Sequence, residues 1–250
     1  MIILGIDTSG RDGSVALARA NGERFELLGQ VPIAAGTYSA QLIPAISVVL
    51  AGATLPKSAI DLLAVASGPG SFTGLRVGLS TVKGLAEALR KPIVAVSVLA
   101  AAAAASQHTG AVMAVLDAQR GEVYAGNYQV KYSEVPAEFE VKRIDEVLLS
   151  FEQFTALVRA LSPLPFICTP DASVESALRQ AGVPVQSVPR PEADLIARLG
   201  VAQYLQGLTV SPEVLDANYL RRSDAEIFSA PKPARPPGQP GERGPSGTPE

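Results

Sequence analysis

The sequence predicts a two-lobed α/β protein made of two related halves. Three observations lead there. The first 106 residues read, in order, as three short β-rich runs, a helix, a strand and a second helix. A similar order starts again at Val112, where an apolar run ends in Asp117 just as residues 2–6 end in Asp7. With 250 residues and 47% hydrophobic content, the chain can bury a substantial core, as one large domain or two small ones.

In chain order, residues 2–6 and 14–20 are β-rich and are joined by the turn T-S-G-R-D-G. Asn21-Gly22 is the strongest short hairpin signal in the chain, so a third strand is expected at 23–31. Leu42, Ile46, Val49 and Ala53 then recur at helical spacing. Ser39 is the candidate N-cap, and Pro44 implies that regular hydrogen bonding begins late or bends there. Residues 62–66 read as a buried strand and 67–74 as a glycine-rich turn, followed by a helix of about four turns that ends near Arg90.

That helix sorts into stripes. Leu75, Leu79, Val82, Ala86 and Leu89 are apolar, and Gly74, Gly78, Thr81, Leu85 and Ala88 are mostly small. Arg76, Ser80, Lys83, Glu87 and Arg90 make a polar stripe. The first two together cover more surface than one sheet contact requires. They are either buried within one domain or meet a partner helix.

A strand at 93–96 and an alanine-rich helix at 98–106 close the first half, with the boundary expected near 107–110. Residues 112–116 form the next strand, followed by a tight turn at 119–121 and a strand at 122–130. Helix and strand then alternate at 151–161, 164–168, 174–181 and 183–188. Leu195, Leu199, Ala202 and Leu205 give a last helix at 192–206, which in this architecture packs back on the first half. Three antiparallel strands followed by a helix-connected parallel strand is the order of the ribonuclease-H-like half-domain of actin, sugar kinases and Hsp70. The expected fold is therefore the two-lobed, actin-like ATPase (ASKHA) α/β fold with tandem βββαβα half-domains. Its lobes would be 1–106 and 107–222, with a Pro/Gly-rich, disordered tail at 223–250.

Composition limits the function classes. A net charge of −3 has the wrong sign for a protein whose own surface neutralises nucleic-acid phosphates. The longest apolar run, 93–105, is too short to cross a bilayer, and the chain begins directly with a strand. A cytoplasmic protein without membrane attachment is expected. The single Cys168 lies in an apolar run and reads as a buried, reduced thiol. His108 is the only histidine and no H-x-x-x-H or C-x-x-C occurs, so no metal site is expected. A Ser-His-Asp or Cys-His set would have to recruit His108.

Asp7, with Thr8 and Ser9, sits at a strand end. There it can orient Mg²⁺ or water, or it can cap its own turn by accepting amides from Ser9 or Gly10. Asp117 is its counterpart in the second half. The turn S-G-P-G-S-F-T-G, with Gly68, Gly70, Ser71 and Gly74, is either a phosphate cradle at a helix start or a purely structural turn. It lacks the P-loop lysine and the dinucleotide G-x-G-x-x-G spacing. Arg120, Glu122 and Tyr124 alternate along a strand and share a face that is either solvated or a contact surface. Tyr219, Arg221 and Arg222 are further candidates for contact with a carboxylate or phosphate.

The string G-P-G-S-F-T-G-L-R-V-G followed by S-T-V-K-G-L-A resembles the signature of the TsaB (YeaZ) family. I-D-T-S at 6–9, S-V-A-L at 14–17, L-D-A-Q-R-G-E-V-Y at 116–124 and Y-L-R at 219–221 support it, so the resemblance spans about residues 1–222. It implies a non-catalytic subunit in tRNA threonylcarbamoyladenosine synthesis. Such a subunit would scaffold and activate a TsaD-type catalytic partner, together with a TsaE-type ATPase, and meet tRNA only through the complex. The family often has His-Ser where this chain has Tyr38-Ser39. With the helix stripes, the resemblance makes Leu42, Ile46, Val49, Phe72, Leu75, Gly78, Leu79, Val82 and Ala86 the expected partner interface. No tightly bound cofactor is expected. ATP or ADP is a candidate at or near the subunit interface, with Asp7, Ser9, Gly70, Ser71 and Asp117 as candidate contacts. The alternatives are a stand-alone ATPase or small-molecule kinase of this fold, or a homodimer through the same helices. The T-P-D-A stretch at 169–172 lacks the adenosine-binding glycine pair that a kinase would want.

Overall fold

The computed structural model describes residues 1–218 and residue 220; Tyr219, Arg221, Arg222 and the expected tail lie outside the described residues. Two five-stranded sheets organise the chain. The first half runs β1 (Ile2–Asp7), β2 (Gly13–Ala20), β3 (Phe25–Ile33), α1 (Tyr38–Gly52), β4 (Leu62–Gly68), α2 (Phe72–Leu89), β5 (Ile93–Ser97) and α3 (Val98–Ala105). The second runs β6 (Gly110–Gln119), β7 (Glu122–Lys131), β8 (Glu140–Ser150), α4 (Phe151–Ala160), β9 (Phe166–Thr169), α5 (Ala172–Gln180), β10 (Gln186–Ser187) and α6 (Ala193–Leu205). The sheet orders, β3-β2-β1-β4-β5 and β10-β9-β6-β7-β8, have the same topology. In each, three antiparallel strands are followed by two parallel ones. This is the expected duplicated, actin-like α/β fold.

Strand alternation divides the core. On β1 and β4, Leu4, Ile6, Leu63 and Val65 face α1 and α2, whereas Ile3, Leu62, Ala64 and Ala66 face the centre. The outer face of the second sheet, with Met113, Val115 and Val123, is covered by Phe154, Val158, Val174 and Leu178 of α4 and α5. The centre is filled by α3 and α6, each of which crosses to the opposite sheet. α6 packs on β1, β2 and β4, and α3 packs on β6, β7 and β8. Both crossings depend on small side chains. α3 is V-L-A-A-A-A-A-A and almost wholly buried, and a Cβ on Gly5 would lie 2.2 Å from the carbonyl oxygen of Ala193 in α6. A helix between two sheets has little room for larger residues.

Several boundaries differ from expectation. The helix after β3 starts at Tyr38, not after Ser39; Thr37 precedes it without a side-chain cap, and Pro44 lies within its regular course. Pro44 is exposed, where its missing N–H costs a bond but meets no packed neighbour. The third strand of the second half, β8, is masked in the sequence by V-K-R-I-D-E, because an edge strand with a wet face needs no apolar alternation. β10 shrinks to two residues. No helix among the described residues is long and apolar enough to cross a membrane.

Candidate functional site

The end of β1 and the glycine-rich turn are built into each other. The backbone N–H of Ser71 donates to the Ser9 carbonyl at 2.7 Å. Thr8 Oγ1 donates to the Gly74 carbonyl at 2.8 Å, and Gly74 N–H donates to Ser71 Oγ, the N-cap of α2, at 3.3 Å. Each glycine here makes room for that meeting. A Cβ would lie 2.3 Å from the Ser9 carbonyl oxygen at Gly70, 2.0 Å from the Thr8 carbonyl oxygen at Gly74 and 2.3 Å from Thr8 Oγ1 at Gly78. Two of the amides that a phosphate at this turn would use, those of Ser71 and Gly74, are thus satisfied by the chain itself.

Asp7 is buried and caps the turn. Its Oδ1 accepts from Ser9 N–H at 2.8 Å and Ser9 Oγ at 2.6 Å. Burial raises its pKa above the usual carboxylate value, opposed by the Ser9 hydroxyl, the Ser9 amide and the Arg190 charge. The folded state therefore binds the proton more tightly than the unfolded chain does. The stability this contributes is fully present below the ordinary value of 3.8 and is lost as pH rises through the raised one. Asp7→Asn, whose oxygen still accepts both bonds, is expected to match or exceed the wild-type melting temperature at pH 7 and to flatten its fall with rising pH. Thermal melts at a series of pH values check this, and a large loss of stability at pH 7 would contradict it. Tyr38 is likewise structural: its hydroxyl donates to the carbonyls of Arg11 and Gly10, at 2.8 and 3.0 Å, and burial pushes its pKa up to about 12.

Beside this turn lies a cavity of about 320 Å³, bordered by Arg11, Asp12, Gly70, Asp117, Tyr124 and Arg190 among others. Asp117, at the matching place on β6, accepts from Gln119 N–H and Nε2 at 2.7 and 2.8 Å. Its own N–H donates to Asp171 at 2.8 Å. Asp171 also pairs with Arg190 at 2.8 Å, and a Cβ on Gly10 of the first half would lie 3.1 Å from Arg190 Nε. Sequence reasoning missed Arg190 and Asp171, although P-R-P at 189–191 is a rigid setting for a cation. Of the polar run after Asp117, Tyr124 borders the cavity, while Arg120 sits in the turn with φ +58°. His108 lies beyond the end of α3 and stacks on Phe166, with centroids 4.3 Å apart. Cys168 is fully buried and burial pushes its thiol up to about 12.

The expected interface residues fall mostly inside the chain. Leu42, Ile46, Val49, Leu75, Gly78, Leu79, Val82 and Ala86 are buried between the first sheet and its outer helices; only Phe72 is exposed. The outer face of α1 is still apolar, while α2 exposes Arg76, Ser80 and Glu87. α1 carries no charged residue, and its exposed positions include Ala40, Ile43, Pro44, Val48 and Ala51, with Ile43 50% and Val48 58% exposed. The topologically equivalent helices of the other half carry Glu152, Arg159, Glu175 and Arg179. The place of α1 in the duplicated fold is thus uncharged in the first half and charged, on α4, in the second.

The family model described as TsaD, tRNA N6-adenosine threonylcarbamoyltransferase, matches residues 9–160, more than half of the chain. The tRNA threonylcarbamoyladenosine biosynthesis protein TsaB of Haemophilus influenzae is 30% identical over 229 residues, covering 88% of this chain and 94% of that protein. TsaB of Bacillus subtilis is 37% identical over 132 residues, 52% of this chain, and this stretch spans only 56% of that relative. Among solved structures, YeaZ from Pseudomonas aeruginosa superposes with a TM-score of 0.68 and 28% identity, over 87% of this chain and 100% of that one. The chain belongs to the TsaB family of tRNA threonylcarbamoyladenosine biosynthesis proteins.

Proposed function

We propose that this chain is a non-catalytic subunit that scaffolds a TsaD-type catalytic partner, and that the partner docks on the outer faces of α1 and α2. The observation that carries the reading is the uncharged, exposed face of α1, with Phe72 exposed at the start of α2 beneath the Arg76 guanidinium. An apolar face of this kind, bordered by the charged residues of the adjoining α2, is what a partner helix covers. Leu42, Leu75, Leu79 and their neighbours then act beneath the interface, holding the two helices on the sheet. A TsaE-type ATPase and tRNA meet the chain only through that complex, in keeping with its net charge of −3.

Catalysis by the chain alone is not part of this reading, because Asp7 is buried as a turn cap and the Ser71 and Gly74 amides are engaged with Ser9 and Ser71 respectively. Nucleotide, on this account, binds at the seam with the partner and not in the turn. Calorimetric titration of the isolated chain with Mg-ATP tests the alternative of a stand-alone ATPase or kinase. No heat at micromolar nucleotide is expected, whereas micromolar binding with turnover would favour the enzyme. Titration with a TsaD-type subunit tests the scaffold directly, with one-to-one association expected. Self-association of the isolated chain through the same face would be lost in the variants that lose the partner.

A further inference from the structure

The segment after α6 returns along the first sheet. Val210 N–H donates to the Ile93 carbonyl at 2.9 Å, Leu215 is buried in the core under α1 and α2, and Asn218 N–H donates to the Ser67 carbonyl at 2.7 Å. Ser67 is the residue before Gly68, whose φ of +106° turns the chain toward α2; a Cβ there would lie 3.4 Å from the Asn218 carbonyl oxygen. The side chain of Asn218 points the other way, donating through Nδ2 to Glu146 of β8. The Glu146 side chain is 2% exposed. Its second oxygen accepts from Ser97 Oγ at 2.6 Å and from Tyr128 OH at 2.5 Å. Burial and the neighbouring carboxylate hold Tyr128 well above its ordinary range, so the hydroxyl stays a donor. A nearly buried carboxylate must keep such donors, and it draws groups from both sheets to one point.

We infer that Asn218 and Glu146 form a clasp by which the returning segment ties the second sheet to the glycine turn, and so positions the start of α2. Asn218 is a positioning residue. That its loss weakens partner docking rests on the scaffold reading above; that it steadies the turn does not.

A polarity swap separates this role from general stability. Asn218→Asp sets a second carboxylate against the buried one of Glu146. In the double variant Asn218→Asp with Glu146→Gln, the introduced glutamine presents its amide to the introduced aspartate and its oxygen to Ser97 and Tyr128, so the bond is restored with donor and acceptor exchanged. Hydrogen–deuterium exchange on the isolated full chain should show the amides of residues 67–75 opening about tenfold faster in the single variant. They should return to within about twofold of wild type in the double one, with α5 unchanged throughout. Turn amides that do not respond, a rise that includes α5 equally, or no rescue would each overturn the clasp. Affinity for a TsaD-type subunit should fall about fivefold in the single variant and recover in the double. Faster turn exchange with unchanged affinity would overturn the link from clasp to docking. A wild-type chain that does not bind the partner sinks the scaffold reading instead, and the exchange result alone then decides the clasp.

Discussion

Gly74→Val lowers the melting temperature of the isolated chain by about 6–12 °C, the largest effect expected of any single change at the β1–α2 junction. A Cβ at this position lies 2.0 Å from the Thr8 carbonyl oxygen and 3.1 Å from Tyr38 Cε2. The first obstacle is backbone just past the end of the central strand β1, which cannot turn aside as a side chain can, so α2 has to lift. Lifting uncovers Leu75, Leu79 and Val82, all nearly inaccessible at present. Overpacking costs about 1–3 kcal/mol, and a backbone obstacle puts Gly74→Val at the upper end. About 3 kcal/mol corresponds to the stated shift for a domain of this size. Gly78 differs in kind, because its obstacle is a side-chain atom, Thr8 Oγ1, at 2.3 Å. Gly78→Ala should therefore cost less in a Thr8→Ala background than alone, a coupling that a double-mutant cycle reads directly. Denaturant or thermal unfolding of the isolated chain checks both. A Gly74→Val protein that melts within about 2 °C of wild type would show that α2 does not rest on Thr8.

Ile43→Asp and Val48→Asp should have the opposite profile. Both positions are at least half exposed, so the free chain should keep its stability within about 0.5 kcal/mol. A charge in the middle of an apolar docking face should weaken association with a TsaD-type subunit by about 10- to 100-fold for each variant. Leu157→Asp on α4 serves as the control, since it is an exposed apolar residue on the outer helix of the other half. It should leave affinity unchanged. Calorimetry or surface-bound kinetics reads all three, and equal losses from Leu157 and Ile43 would indicate that the face on α1 has no special role. Changes at Gly78 or Leu79 cannot serve this purpose, because both are packed on the chain's own sheet.

The contrast between these two sets shows where sequence reading succeeds and where it stops. The repeated half-domain was legible because the apolar runs of β1 and β6 lead alike into an aspartate, Asp7 and Asp117, and because parallel strands such as β4 open on an unbroken apolar run, L-L-A-V-A. The glycines at 70, 74 and 78 announced a close approach. What they approach, the end of β1, is set by parallel pairing of β1 with β4 and is invisible in the string. The stripes of α1 and α2 were read correctly as apolar, but periodicity alone does not say which stripe meets the sheet. On α1 the buried set is Leu42, Ile46 and Val49, and the free set, Ile43 and Val48, is displaced around the helix by little more than one residue. The exchange of α3 and α6 between sheets could be half-read, since only α6 was expected to return. An all-alanine helix gives no direction. Arg190, Asp171, Glu146 and Asn218 were missed for a common reason: each acts with a partner 19 or more residues away in sequence.

The most direct measurement is threonylcarbamoyl transfer to tRNA in a purified mixture of this chain with TsaD-type and TsaE-type subunits, omitting each protein in turn. Product should require both this chain and the TsaD-type subunit, fall sharply with Ile43→Asp or Val48→Asp, and persist with Asp7→Asn. Product formed by this chain without the TsaD-type subunit, or lost when a folded Asp7→Asn chain replaces the wild type, would place the chemistry at Asp7 and contradict the scaffold account.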